Sequence, residues 1–210
     1  MPPLLYADLD EAAARLRRKG EEGTRQIVGL VGPPGAGKTT AAGLLSNLFG
    51  SESAVVPMDG FHLANTIIDG TPLKERKGAI DTFDVGGYLS LLERLRHNHE
   101  DVIYAPSYRR GLEEPIAASI AVPREVKFVF TEGNYLLARR GRWGEVRNYL
   151  DEAWFVETPS ETRIARLIER HVAYGMEPAA AEVWANGSDE TNARYIETTK
   201  AFADLIVRWG

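Results

Sequence analysis

The run Gly32-Pro33-Pro34-Gly35-Ala36-Gly37-Lys38-Thr39 sets a glycine, four residues and then Gly-Lys-Thr in a row, a spacing that makes a cradle for phosphate. Its glycines let consecutive backbone N–H groups curl toward one anion, which a loop of side-chained residues cannot easily do. Lys38 reaches the outer phosphates, the Thr39 hydroxyl (followed by that of Thr40) offers a ligand for Mg²⁺, and the helix that starts here adds its positive end. The pattern lies between the apolar run Gln26–Val31 and a helical run from Thr39 to Phe49, which is the context it requires.

Two carboxylates complete a set able to move a phosphoryl group. Asp59 follows the strand-like run 54–58 and Glu132 follows the run 126–130. In a parallel sheet the carboxyl ends of strands face the ligand crevice. One carboxylate can take the proton of an attacking hydroxyl while the other holds Mg²⁺ directly or through water; as local structure, each could equally form a turn or cap a helix. Arg163, Arg166 and Arg170, spaced three and four apart, share one helix face, either as cations closing over phosphates or as a solvated face paired with Glu161 and Glu169. Lys74, Arg76 and Lys77 form one basic cluster, and Arg109 with Arg110 forms another. Either can neutralise an anionic substrate group or lie in solvent. The four histidines make no metal pattern; His62 stands out because it lies three residues from Asp59.

These blocks line up in order. The phosphate loop, Met58-Asp59-Gly60-Phe61-His62, Arg76 through Asp84, Tyr104-Ala105-Pro106-Ser107-Tyr108 and Thr131-Glu132-Gly133-Asn134-Tyr135-Leu136-Leu137 resemble the pantothenate kinase, uridine kinase and phosphoribulokinase superfamily from about Gln26 to Val207. The Asp-Gly-Phe and Arg-Lys-Gly blocks are most similar to bacterial pantothenate kinases and to kinases associated with fructose-type sugar transport. The resemblance implies an ATP- and Mg²⁺-dependent transfer of the γ-phosphoryl group to a hydroxyl of a small metabolite. It implies Asp59 as base, Lys38, Arg166 and Arg170 on the transferring group, and Thr39 with Glu132 at the metal. The nucleotide would be bound by Gly32 through Thr40 together with Arg163. His62, Arg76, Asp81, Asp84, Tyr108 and Arg109 would bind the acceptor, and a lid would span about 163–190. Uridine kinases carry Asp-His-Pro where this chain has Arg76-Lys77-Gly78, and Asp where it has Arg109; pantothenate kinases are longer at the C-terminus. A sugar or polyol acceptor is therefore expected ahead of pantothenate or a nucleoside, and Asp84 is expected to bind an acceptor hydroxyl.

The elements that must hold these residues follow from pattern. Short apolar runs at 26–31, 54–58, 126–130, 152–156 and 205–207 alternate with helical patterns at 39–49, 85–98, 160–174, 176–186 and 189–203. Such alternation predicts an α/β fold, a doubly wound parallel sheet of about five strands with helices on both faces. Runs 102–110 and 116–122 predict a hairpin-like insertion, and 61–82 loses periodicity. Residues 1–24 read as a helical extension, opened by a capping box at Asp8 and Glu11, and a linker; residues 25–210 read as the kinase domain.

Composition narrows the function classes. The 210 residues hold no cysteine, which removes thiol nucleophiles and zinc fingers and suits a reducing cytoplasm. A formal charge of −5 argues against nucleic acid as partner. No run reaches the ~20 apolar residues of a membrane span, and the N-terminus lacks a secretory pattern. A homodimer is left open. Asp84-Val85-Gly86-Gly87 mimics a GTPase switch string, but it opens a helix, and the chain has no guanine-reading Asn/Thr-Lys-x-Asp. A nucleotide-sensing module would keep the phosphate loop but has less need of both Asp59 and Glu132.

Overall fold

A run buried on both faces has no polar side, and Gln26–Val31 is buried at every residue, as is Phe128–Gly133. Such strands belong at the centre of a covered parallel sheet, and a computed structural model of the chain, describing residues 4–6, 8–20 and 24–208, puts them there. In chain order the strands are β1 (Leu4–Tyr6), β2 (Gln26–Val31), β3 (Ser53–Pro57), β4 (Val102–Arg109), β5 (Glu114–Pro123), β6 (Phe128–Gly133), β7 (Glu152–Glu157) and β8 (Leu205–Arg208). The main sheet runs β1-β8-β7-β2-β6-β3, all parallel, with Val28 opposite Phe130 and Leu30 opposite Trp154. β4 and β5 form the expected antiparallel hairpin apart from it.

The helices are α1 (Leu9–Gly20), α2 (Lys38–Phe49), α3 (Asn65–Ile68), α4 (Val85–His97), α5 (Trp143–Val146), α6 (Ser160–Ala173), α7 (Pro178–Trp184) and α8 (Glu190–Glu197). Neighbouring strand residues point to opposite faces, so Ile27, Val31 and Val129 pack with Tyr88, Leu91, Leu92 and Leu95 of α4. Val28, Leu30, Phe130 and Trp154 pack instead with Leu45 of α2 and with Leu9, Ala12, Ala13 and Leu16 of α1. The segment read as an extension thus forms a strand and a helix on the same sheet. α1 is fastened by the buried Glu152, which accepts hydrogen bonds from Arg15 at 2.9 Å, from Lys19, and from the Trp154 indole at 2.7 Å. Asp8 accepts from the Glu11 N–H at 2.9 Å, the backbone half of the expected cap.

Several boundaries differ from the sequence reading, and those that bear on the site are these. β6 begins two residues later than expected, because Lys127 is already tied to Glu52 and Gln26 by its own backbone bonds, and it runs on to Gly133 in register with β2. Glu132 therefore lies in the strand, not after it. Met58 leaves β3 for a 3₁₀ turn, Met58–Phe61, that carries Asp59. The third C-terminal helix stops at Glu197, well short of 203. Between α7 and α8 the chain takes a π-helical turn, Ala185–Asp189, which helical periodicity does not reveal.

Candidate active site

The phosphate loop joins β2 to α2. Gly35 and Gly37 sit at φ of +78° and +86°, a region that side-chained residues rarely enter. A Cβ on Gly35 would also stand 2.4 Å from the Arg163 carbonyl. Behind the loop the Thr158 hydroxyl donates to Ala36 O at 2.9 Å. The buried Lys38 ammonium donates to Gly32 O at 2.8 Å, Pro33 O at 3.1 Å and Asn134 Oδ1 at 2.8 Å. Burial lowers its pKa to about 8, with Glu132 and Asp59 pulling the other way.

Glu132, also buried, accepts a hydrogen bond from the Thr39 hydroxyl at 2.9 Å. Burial first and the Asp59 carboxylate second hold its carboxyl above the usual range, while Lys38 and Thr39 act to lower it. A buried hydrogen-bond chain fixes its strand: Tyr88 OH donates to Thr131 Oγ1 at 2.6 Å, and Thr131 donates to Val56 O at 2.7 Å. The 3₁₀ turn after β3 thereby brings Asp59 to the same mouth, where Arg110 faces its carboxylate at 3.4 Å.

One cleft of about 500 Å³ gathers these groups. Its walls include Pro34, Gly35, Lys38, Thr39, Asp59 and Glu132 on the loop side, and Arg170, His171, Tyr174, Met176 and Trp184 on the α6–α7 side. On the hairpin side stand His62, Asn65, Lys74, Lys77, Tyr108, Arg110 and Glu113. His62 bonds Asp59 O through Nδ1 at 2.7 Å. A carbonyl only accepts, so Nδ1 carries the proton and the neutral ring keeps Nε2 as an acceptor. Burial pushes its pKa down. The ring lies between Phe83 and Tyr108, at centroid distances of 4.1 and 4.5 Å. Burial also lowers the Arg170 pKa, with Arg110 the next cause. His171 Nε2 meets Asp189 Oδ2 of the π-helical turn at 2.8 Å.

The structure brings together Lys38, Thr39, Asp59, His62, Tyr108, Glu132 and Arg170. Other expected site residues lie elsewhere. Arg163 is buried, donates to Pro34 O at 3.2 Å and pairs with Glu190, so it braces the loop from behind where a nucleotide contact was expected. Arg166 is half-buried on α6 and is not among the described residues lining the cleft; neither is the exposed Thr40. Arg76 and Asp81 pair with each other at 2.6 Å outside the lining, both about half exposed. Asp84 caps α4 by accepting from Gly87 N at 2.9 Å, and it too is outside the lining. Arg109 ends β4 exposed, and its neighbour Arg110, in the turn that follows, reaches Asp59 at 3.4 Å. Asn134, His171, Trp184 and Asp189 were not foreseen as site residues. Only Asn134 had a sequence signal, its place two residues after Glu132.

The Thr39 hydroxyl and Glu132 carboxylate are hard oxygen donors, 2.9 Å apart, at the loop mouth. Both suit Mg²⁺, which takes few protein ligands and fills its octahedron with water and phosphate. No group of three or more His, Cys, Asp or Glu arranged to hold a metal occurs among the described residues, so a metal here would be shared with a bound phosphate. No helix among them is long and apolar enough to cross a membrane.

Residues 27–210 match the Phosphoribulokinase / Uridine kinase family. A Schizosaccharomyces pombe protein provisionally described as a uridine kinase is 30% identical, over 97% of this chain and 90% of that one. The uncharacterized Escherichia coli K12 protein YggC is 32% identical over 87% of this chain and 77% of its own length. A crystal structure from Silicibacter sp. TM1040, provisionally described as a fructose transport system kinase, superposes with a TM-score of 0.86 at 32% identity, covering 98% of this chain and all of that one.

Proposed function

The chain belongs to the phosphoribulokinase and uridine kinase family, and on that premise we propose that it transfers the γ-phosphoryl group of ATP to a hydroxyl of a small sugar or related polyol. The observation that supports this most is the convergence of Lys38, Glu132 and Asp59 on one cleft, with a hairpin-side wall that has room for an acceptor. The loop N–H groups and Lys38 bind the phosphates, and Lys38 swings from the loop carbonyls to follow the moving group. Thr39 and Glu132 would hold Mg²⁺, which would supply positive charge to the bound phosphates. Asp59 accepts the proton of the attacking hydroxyl, and Arg110 beside it keeps that carboxylate aimed into the cleft. Arg170 enters from α6 to meet charge developing on the equatorial oxygens, and the segment 163–190 serves as lid. On the acceptor side the His62 and Tyr108 rings and the nearby polar groups suit hydroxyls. The Silicibacter neighbour's description favours a sugar; the S. pombe relative's favours uridine.

A coupled assay of ADP release over sugars, pantothenate and nucleosides tests this, with each product identified by mass. Asp59→Asn should lower turnover by about 10²–10⁴-fold with little change in ATP affinity. Nucleotide binding without ADP release in any mixture would replace the kinase reading with that of a nucleotide sensor.

A further inference from the structure

The acceptor end of the cleft is floored by a row of rings. Tyr108 packs on His62 at a centroid distance of 4.5 Å and His62 on Phe83 at 4.1 Å. Phe83 meets Tyr135 at 5.7 Å, and Tyr135 meets Tyr195 of α8 at 6.4 Å. The row thus runs from the hairpin, past the Asp59 carbonyl that His62 Nδ1 bonds, to α8. Tyr135 OH donates to Gly78 O at 2.8 Å, and Gly78 is itself part of the cleft wall. Asn192 lies three residues before Tyr195 and shares its helix face, which sets Asn192 at this end of the cleft.

Two side chains on this wall are not used by the fold. Trp184 ends α7 and Asn192 lies in the first half of α8; both are half-buried and line the cleft. Neither side chain makes a hydrogen bond or ring contact among the described residues. Neither polar group is sealed from solvent, because the one buried side-chain polar atom without a partner there is Asn98 Oδ1. Asparagine is also a poor choice inside a helix unless its amide has another task.

The π-helical turn sets both on one side. At ~100° per residue an unbroken α-helix would put Trp184 and Asp189 about 140° apart. The i to i+5 winding of Ala185–Asp189 takes more residues per turn, and Trp184, Asp189 and Asn192 all line the cleft. Asp189 is engaged by His171 of α6 at 2.8 Å, which fastens the turn. Trp184 and Asn192 remain open: a flat apolar face with an N–H at its edge, and an amide that both donates and accepts.

We propose that Trp184 and Asn192 select the acceptor, and that it is a sugar in its cyclic form, with a C–H face on the Trp184 indole and a hydroxyl on the Asn192 amide. The inference rests on the kinase reading of this cleft. A sugar ring is rigid, with an apolar face bordered by hydroxyls, and it matches ring surfaces flanked by a few polar groups. An open-chain polyol carries similar hydroxyls but must freeze several torsions to present such a face.

The test compares fructose and ribose with their open-chain counterparts mannitol and ribitol, and with uridine, in the coupled assay. The proteins are the wild type, Trp184→Ala, Trp184→Phe and Asn192→Ala. In parallel, each compound is titrated into wild type and Trp184→Phe loaded with Mg²⁺ and a non-hydrolysable ATP analogue, and tryptophan emission is read. Trp143 and Trp154 are buried, and the difference between the two proteins reports Trp184. We expect kcat/KM for one of the two sugars to exceed that for its open-chain counterpart by about tenfold or more. Trp184→Ala should raise that sugar's KM by about tenfold and shrink its preference over the open chain to about threefold, with the KM of ATP held within about twofold. An unmoved KM for ATP also shows that the variant is folded. Trp184→Phe keeps a ring face and should recover most of the loss, and Asn192→Ala should raise the sugar's KM by about fivefold. Open-chain polyols used as well as the sugars, uridine preferred to both sugars, or a rise in the KM of ATP instead of the acceptor's overturns the inference and leaves the kinase intact. If no compound releases ADP, the kinase reading fails, and the sugar subsite stands only if a sugar, and not its open-chain counterpart, alters Trp184 emission.

Discussion

Lys38 makes a sharp prediction about pH. Its ammonium is buried, fully hydrogen-bonded to Gly32 O, Pro33 O and Asn134 Oδ1, and depressed to about 8 from an ordinary 10.5. The unfolded chain holds this proton until the pH reaches the ordinary value, whereas the nucleotide-free fold releases it near 8. Between those limits the unfolded state binds more protons, so stability rises with pH. Below pH 8 the fold bears the whole cost of a buried charge, about 3 kcal/mol, and from about pH 7 to 9.5 roughly 2 kcal/mol of it is relieved. Urea unfolding of the nucleotide-free wild type and of Lys38→Met across that range isolates the contribution, because the difference curve cancels every titrating group not coupled to Lys38, and repeating the pair in a Glu132→Gln background removes the buried carboxylate that is. The stability gap between the two proteins should change by about 2 kcal/mol, the wild type gaining as pH rises. Saturating Mg²⁺ and ATP should erase the slope, since phosphate charge keeps the ammonium protonated. Parallel curves with and without Lys38 would refute the buried-ammonium argument. The same variant should lose measurable turnover.

Other residues give independent tests. Glu132→Gln should raise the Mg²⁺ concentration needed for half-maximal rate while leaving the nucleotide-free protein at least as stable, since it removes a carboxylate that burial disfavours; an unchanged Mg²⁺ dependence would count against its metal role. Arg163→Ala should cost about 3 kcal/mol in chemical denaturation, because it removes a buried side chain behind the phosphate loop, leaves Pro34 O without its donor and leaves the part-exposed Glu190 with Arg194 alone. Asp84→Ala should lose about 1 kcal/mol of stability as an α4 cap and leave the acceptor's KM nearly unchanged, where the sequence reading expects a large rise.

The sequence alone determined the parts whose cause is local. Gly-x4-Gly-Lys-Thr dictates a phosphate cradle because glycine φ values and a helix start follow from neighbouring residues, and Gly35, Gly37 and α2 lie as that pattern requires. Alternating buried strands and amphipathic helices dictated a parallel sheet, and the carboxyl ends of β3 and β6 brought Asp59 and Glu132 to its crevice. Which member of a charge run faces the cleft was not local. Arg163, Arg166 and Arg170 share a helix face in sequence, yet α6 lies so close to the phosphate loop that Arg163 is swallowed behind it and Arg170 alone lines the cleft among the described residues. Arg109 closes the β4–β5 ladder opposite Glu114, and the turn beyond it carries Arg110 to Asp59. The irregular stretch after Asp59 had no period to read, so only tertiary packing could pair Arg76 with Asp81 and turn Lys74 and Lys77 onto a single oxygen of Asn65. Those contacts join residues whose side chains meet through the fold of a loop, and no sequence spacing encodes them.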